Sequence, residues 1–109
     1  MRHILLNSSM MPTPGVYRLK KISKEDFFNT LNNWGENYES YIGYDAVIDI
    51  LKQIGIQVKF NRNAVCLDSE CDILIIKLKY RLLNPAEKKA GIHGKNINDY
   101  EFYSCHYIQ

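Results

Sequence analysis

The chain has 109 residues and a formal net charge of +2 at pH 7, and hydrophobic residues make up 46% of it. This length indicates one domain with a modest core, and the apolar content excludes a disordered chain. The small positive charge does not favour DNA as the partner, although it is compatible with an anionic ligand. No apolar run approaches the ~18 residues that are needed to span a membrane.

The N-terminal residues and the cysteines bear on where the protein works. The apolar run near the N-terminus is short, and polar residues follow it at once. It is therefore not typical of a secretory signal, and we predict a first strand over residues 2–6. The three cysteines, Cys66, Cys71 and Cys105, are an odd number, which favours free thiols in a reducing cytosol. We therefore expect a cytoplasmic location.

The first half of the chain predicts two helices after a loop over residues 7–17, which contains proline and glycine. One helix follows the N-cap Ser23 and ends at Gly35, because apolar residues recur at helical spacing between them. The second helix covers residues 44–54 and stops at Gly55.

The second half of the chain predicts strands. Residues 56–60 alternate between apolar and polar, and residues 64–67 and 72–80 resemble the two arms of a hairpin. Residues 84–99 hold proline and glycines, and we predict a mobile loop with one helical turn there. An aromatic strand over residues 100–108 follows. Together these elements predict a single α+β domain with one mixed sheet of about five strands, flanked by helices.

Two short stretches could contact a ligand, and each also has a purely structural explanation. Asn7, Ser8 and Ser9 follow the first strand and offer amide and hydroxyl groups, or they simply begin a polar loop. Gly43 and Tyr44 begin the second helix, where backbone N–H groups can hold a phosphate. The alternative is an ordinary helix start with a surface tyrosine.

An arginine and a histidine later in the chain are further candidates. Arg81 follows a predicted strand and could clamp a phosphate with its planar guanidinium, or remain a solvated charge. His93 lies in the glycine-containing loop, and is the histidine best placed to meet a ligand if it is not simply solvated. His3 and His106 are predicted to be ordinary strand residues. The sequence contains no nucleophile elbow, P-loop or dinucleotide-binding motif.

The order and spacing of several short motifs resemble a known family. The resemblance runs from Ile4 to about Leu83, and it is to the small viral ring nucleases that act as type III anti-CRISPR proteins in viruses and mobile elements. The motifs that carry it are, in chain order, ILLNSS, ISKEDF, YIGYDAVIDILKQIGIQVKFNR and LIIKLKYRL.

The resemblance implies a homodimer that binds cyclic tetra-adenylate, the messenger of type III CRISPR systems, across its interface. It implies that flexible loops close over the ligand. In such proteins cleavage needs no metal and no cofactor: a ribose 2′-hydroxyl attacks the adjacent phosphate, and a histidine protonates the leaving oxygen. Loss of the messenger keeps the host's effector nucleases silent. The expected location is then the cytoplasm of the host cell.

The resemblance assigns roles to individual residues. Asn7 matches the pocket asparagine, Gly43 the glycine before the catalytic histidine, and Arg81 the arginine near the scissile phosphate. Two positions depart from the family, because Tyr44 stands where the catalytic histidine is expected and Asn84 stands where the family has an acid.

These departures favour binding over turnover. A phenol ordinarily has a pKa of about 10 and is a poor general acid near neutral pH, where general acid catalysis contributes roughly 10²–10⁴-fold. We therefore expect a protein that sequesters cyclic tetra-adenylate or a related cyclic nucleotide. The alternatives are an active ring nuclease with Tyr44 or His93 as the acid, and a host-takeover factor that binds a protein through its aromatic C-terminal strand. The predicted ligand-binding residues are Asn7, Ser8, Ser9, Gly43, Tyr44, Arg81 and Asn84.

Overall fold

The computed structural model describes residues 2–8, 14–67, 69–79 and 96–108. The elements within them are, in chain order, β1 (Arg2–Leu6), β2 (Val16–Ile22), α1 (Lys24–Trp34), β3 (Glu39–Tyr41), α2 (Asp45–Gln53), β4 (Cys71–Leu78), a 3-10 turn (Ile97–Asp99) and β5 (Tyr100–Ile108). The five strands form one sheet in the order β2-β5-β4-β1-β3. The predicted α+β fold with a five-stranded mixed sheet is confirmed.

The direction of the strands decides which residues meet. β1 lies between β3 and β4 and is parallel to both, with Leu6 opposite Tyr41 on one side and Ile75 on the other. β5 is antiparallel to β4 and to β2. The carboxyl ends of β1, β3 and β4 therefore lie along the same side of the sheet, and the residues that follow these strands emerge there. We call this row of strand ends the carboxyl edge.

Apolar side chains cover both faces of the sheet. The helices pack on one face, where the buried residues include Leu5, Phe27, Leu31, Val47, Leu74 and Phe102. On the other face Val65 and Leu67 join a second buried cluster with Ile4, Ile73, Cys105 and Tyr107. The run Ile73–Ile76 is fully buried, as expected for an inner strand that is covered on both sides.

Both predicted helices are confirmed. The Ser23 hydroxyl accepts a hydrogen bond from the Asp26 backbone N–H at 3.1 Å, and Gly35 ends α1 with a positive φ of 62°. Gly55, with φ 92°, follows α2. Within the described residues, neither helix is long and apolar enough to cross a membrane.

Several strand predictions were wrong. β2 begins inside the predicted loop, and β3 was not predicted. Residues 56–60 form no regular strand, since only Phe60 makes a bridge, with Ile42. The predicted hairpin is absent from the described part of the chain, because β4 pairs with β1 and β5 rather than with residues 64–67.

The position of β5 bears on the idea of a protein-binding aromatic edge. The strand exists at the predicted residues, but it lies between β2 and β4 and both of its edges are hydrogen-bonded. The sheet ends instead at β2 on one side and β3 on the other. An exposed edge at the C-terminal strand would favour a protein partner there, but both edges of β5 are already paired. The predicted loop over residues 84–99 lies mostly outside the described residues.

Candidate functional site

Two predicted ligand-binding residues meet at the carboxyl edge. Asn7 follows the last residue of β1, and Gly43 lies two residues after the last residue of β3. The Oδ1 atom of Asn7 accepts a long hydrogen bond, 3.4 Å, from the backbone N–H of Gly43. The parallel pairing of β1 and β3 places these loops side by side, so residues 36 positions apart in sequence form one polar contact.

Tyr44 occupies the N-cap position of α2. Its backbone is extended, its carbonyl accepts from the Val47 N–H at 3.1 Å, and its side chain makes no capping hydrogen bond. The half-buried ring packs against the core on the helical face of the sheet. The first N–H groups of a helix lack acceptors within the helix and favour anions, although the Asp45 carboxylate in the first turn opposes one here.

Arg62 supplies a cation at this site and explains Gly43. A Cβ atom at Gly43 would lie 2.8 Å from the Cγ of Arg62, so the arginine stem needs a glycine there. The Arg62 Nε donates to the Gly43 carbonyl oxygen at 3.0 Å, and its guanidinium lies 5.4 Å from the centre of the Phe60 ring. Within the described residues, the terminal nitrogens of Arg62 make no hydrogen bond. In the sequence, Arg62 is only the last residue of the motif YIGYDAVIDILKQIGIQVKFNR and was given no role of its own.

Tyr100 is a second residue that the sequence did not indicate for the site. Its side chain is buried at the start of β5. Burial raises the pKa of Tyr100, and the nearby phenol of Tyr44 and the Asp99 carboxylate raise it further. Tyr44 and Tyr100 therefore place two phenols near each other at the carboxyl edge, and the phenol of Tyr100 stays neutral over the physiological pH range.

The remaining predicted site residues have different outcomes. Ser8 is half-buried and follows Asn7 directly, so it lies at the carboxyl edge, and its role in binding stays a prediction. Ser9, Arg81, Asn84 and His93 lie outside the described residues, and their roles stay predictions.

The two described histidines lie elsewhere. His3 stacks on Trp34 with ring centres 4.6 Å apart. His106 lies between two carboxylates, with Asp72 2.7 Å from Nδ1 and Glu70 2.6 Å from Nε2, and the hydrogen bonds to these groups raise its pKa. His3 and His106 are both opposite Asp72 in the sheet, near the amino end of β1 and β4, so neither belongs to the carboxyl edge.

A cleft of about 850 Å³ lies beside β3, between this strand and residues 55–63. Its lining includes Phe60 and Asn61 but not Asn7, Gly43 or Tyr44. This cleft therefore does not enclose the described residues of the carboxyl edge.

Sequence comparison identifies the family. A family model described as STIV B116-like matches residues 3–104, which is almost the entire chain. The chain belongs to the STIV B116-like family. This STIV B116-like chain also shares its fold with B116 of Sulfolobus turreted icosahedral virus, with a TM-score of 0.67 and 21% identity over 96% of this chain and 98% of that one. Because the family is named after a viral protein, the match supports the prediction of a viral protein. Ring nuclease activity stays a prediction.

A curated bacterial protein is also similar. The uncharacterized protein YddF of Bacillus subtilis (strain 168) is 33% identical over 58 residues, or 52% of this chain. The match spans about half of that relative as well, 54% of its length.

Proposed function

We propose that this STIV B116-like protein acts for a virus or mobile element by binding a cyclic nucleotide messenger, cyclic tetra-adenylate or a related immune signal, and sequestering it. The observation that carries the proposal is the contact between Asn7 and Gly43 at the entry to α2. The resemblance in sequence matches these two positions to the family's pocket asparagine and to the glycine before its catalytic histidine. Their meeting in space, 36 residues apart in sequence, is what a shared ligand would require.

The surroundings of this contact suit a phosphate. The N–H groups that begin α2 and the terminal nitrogens of Arg62 are donors near Gly43. Asp45 is the one described carboxylate in the first turn of α2, and its side chain is exposed to solvent, which weakens its repulsion. Arg81, if it lies as the resemblance implies, adds a second guanidinium.

The phenol at position 44 favours sequestration. It can donate a hydrogen bond or stack on a base, but a phenol is a weak proton donor at neutral pH. Tyr100 adds a second phenol, which is buried, and no acid. Slow or absent turnover with retained binding still blocks a signal when the protein is made in excess.

A binding assay with a panel of cyclic nucleotides tests the proposal. The protein is incubated with each ligand without added metal, heated to release bound ligand, and the supernatant is chromatographed. We expect one ligand to be retained by the native protein and recovered intact. Recovery of linear product would support the alternative, an active ring nuclease. Failure to retain any ligand of the panel would overturn both.

A pair of matched variants tests the placement of the ligand. Asn7→Asp keeps an acceptor for the Gly43 N–H but adds a negative charge beside the expected phosphate, and we expect the Kd to rise about tenfold or more. Asn33→Asp adds the same charge at an exposed position of α1 and should leave the Kd nearly unchanged. Equal losses in calorimetry would mean that the ligand does not contact Asn7.

A further inference from the structure

We propose that the protein has a second anion site, a cleft of about 300 Å³ lined in part by Tyr100, which binds a phosphate-bearing molecule of nucleotide size. We call it the basic cleft, and its polar lining residues are Lys21, Lys24, Lys79, Asn98 and Glu101. The inference does not depend on the cyclic nucleotide proposed above.

The lysines of the basic cleft come from three elements that meet only in the folded chain. Lys21 lies near the end of β2, Lys24 is the first residue of α1, and Lys79 follows β4 directly. The Lys79 backbone N–H donates to the Asp99 carbonyl at 2.8 Å, which ties the end of β4 to the turn that carries Asn98. The backbone positions of all three lysines are therefore set by the fold.

The charges around the basic cleft are not balanced. Glu101 is its one lining carboxylate among the described residues, and it lies 3.6 Å from the Lys21 Nζ and accepts a hydrogen bond from the Tyr103 hydroxyl. Lys24 and Lys79 have no ion pair within the described part of the chain. The basic cleft thus has three lysines and one carboxylate, which already interacts with Lys21 and Tyr103. Its positive charge attracts a multiply charged anion, and lysine is a common phosphate ligand.

The size and the apolar wall of the basic cleft restrict the ligand. A volume of about 300 Å³ is at the lower end of the range for small-molecule sites, and is suited to a pyrophosphate or one nucleotide rather than a cyclic tetranucleotide. Ile22, Ile97 and Phe102 line it on the apolar side, where a sugar or base could pack. Tyr100 lines the basic cleft and lies close enough to Tyr44 to interact with it electrostatically, so the two sites are neighbours.

Calorimetry with inorganic pyrophosphate and with ADP, at low ionic strength, tests this site. We expect saturable binding whose Kd rises about tenfold or more in the double variant Lys24→Gln/Lys79→Gln, because charge-assisted contacts are lost. The double variant Lys24→Arg/Lys79→Arg keeps the charges and should retain most of the binding. Tighter binding of ADP than of pyrophosphate would show that the site recognises a nucleotide. Equal binding would show that it recognises the phosphates alone.

Two further variants decide whether the anion lies in the basic cleft. Lys59→Gln removes an exposed lysine beside β3 and should leave the Kd unchanged. Arg62→Gln removes the cation at the carboxyl edge and therefore reports an anion that binds there instead. Absence of saturable binding, a loss in Lys59→Gln as large as in Lys24→Gln/Lys79→Gln, or a loss confined to Arg62→Gln would each overturn the proposal.

Discussion

Tyr44 is the residue at which binding and cleavage can be separated. An imidazole has an ordinary pKa of about 6.5 and can donate a proton near neutral pH, which a phenol does poorly. If cyclic tetra-adenylate is the ligand, we expect Tyr44→His to raise its cleavage rate by about 10–100-fold, below the full range of general acid catalysis because Asn84 still replaces the acid. Single-turnover cleavage of labelled ligand without added metal measures this gain.

Tyr44→Phe is the matched control for this substitution. It keeps the ring that packs against the core and removes only the hydroxyl group. We expect binding to weaken by no more than about tenfold, the cost of one neutral hydrogen bond. Fast cleavage by the wild-type protein that Tyr44→His does not improve would contradict sequestration, and His93→Ala would then show which residue is the acid.

His106 contributes to stability in a way that depends on pH. Its pKa is raised, first by the hydrogen bond to Asp72 and then by the hydrogen bond to Glu70, so the folded state favours the imidazolium. The stabilisation is fully present below the unfolded value of about 6.5 and is lost as the pH rises through the higher folded value. In the sheet, Arg18 lies opposite His106 and His3 lies opposite Asp72. Neither of these neighbours adds a further carboxylate beside the His106 imidazole.

Thermal unfolding of the wild type and His106→Gln checks this sign. We expect the wild type to have the higher Tm near pH 6 and the gap to shrink toward about pH 9, where the imidazole is neutral in both states. Asp72→Asn removes the main cause of the shift and should make the gap less dependent on pH. A gap that widens with rising pH would contradict the proposed role of the carboxylates.

The entry to α2 depends on the contact between Gly43 and Arg62. Gly43 has no positive φ, so alanine fits the backbone there, and only the Arg62 side chain obstructs its Cβ. We expect Gly43→Ala to lower the free energy of unfolding by about 1 kcal/mol. In Gly43→Ala/Arg62→Ala the obstruction is gone, so the loss should be smaller than the sum of the single losses by about 0.5–1 kcal/mol.

Urea unfolding of the four proteins in this double-mutant cycle gives the coupling energy. Arg62→Ala alone is the control for the lost hydrogen bond to the Gly43 carbonyl. Strict additivity would show that the close approach of the Arg62 stem has no energetic consequence, and that Gly43 is required for another reason.

The helices could be predicted from the sequence and much of the sheet could not, for a physical reason. Ser23, Gly35 and Gly55 are local signals that act within one turn of the chain. β2 and β3 are edge strands without a fully buried face, so their residues show no clear alternation. Likewise, the partners of β4 are distant in sequence, and local periodicity predicted a hairpin with a neighbouring segment instead.

The candidate site shows the same division. Asn7, Gly43 and Tyr44 could be proposed because each follows a strand or begins a helix, and motif order supported them. Arg62 and Tyr100 could not, since the contact of Arg62 with Gly43 and the proximity of Tyr100 to Tyr44 arise only when distant segments fold together. Arg62 lies two positions after Phe60, which forms a bridge with Ile42. This position would have indicated Arg62 only if the bridge had been known.

At the scale of the whole molecule, a ligand at the carboxyl edge needs groups that cover it. The cleft beside β3 does not include Asn7, Gly43 or Tyr44. Small-molecule sites usually bury most of their ligand, so a second copy of the chain is a suitable other half of the pocket.

We therefore expect a symmetric dimer that binds one ligand per two chains. A ring with two-fold symmetry is bound well by two copies of the same residues, because each copy of Asn7 and Gly43 meets an equivalent part of the ring. Light scattering at micromolar concentration should give about twice the chain mass of 12.8 kDa, and calorimetry with the retained ligand should saturate at half a ligand per chain. Asn7→Asp should weaken ligand binding without changing the mass, since its contact with Gly43 lies within one chain. A monomer that binds one ligand per chain would show instead that a single carboxyl edge is sufficient, and the shared pocket would be wrong.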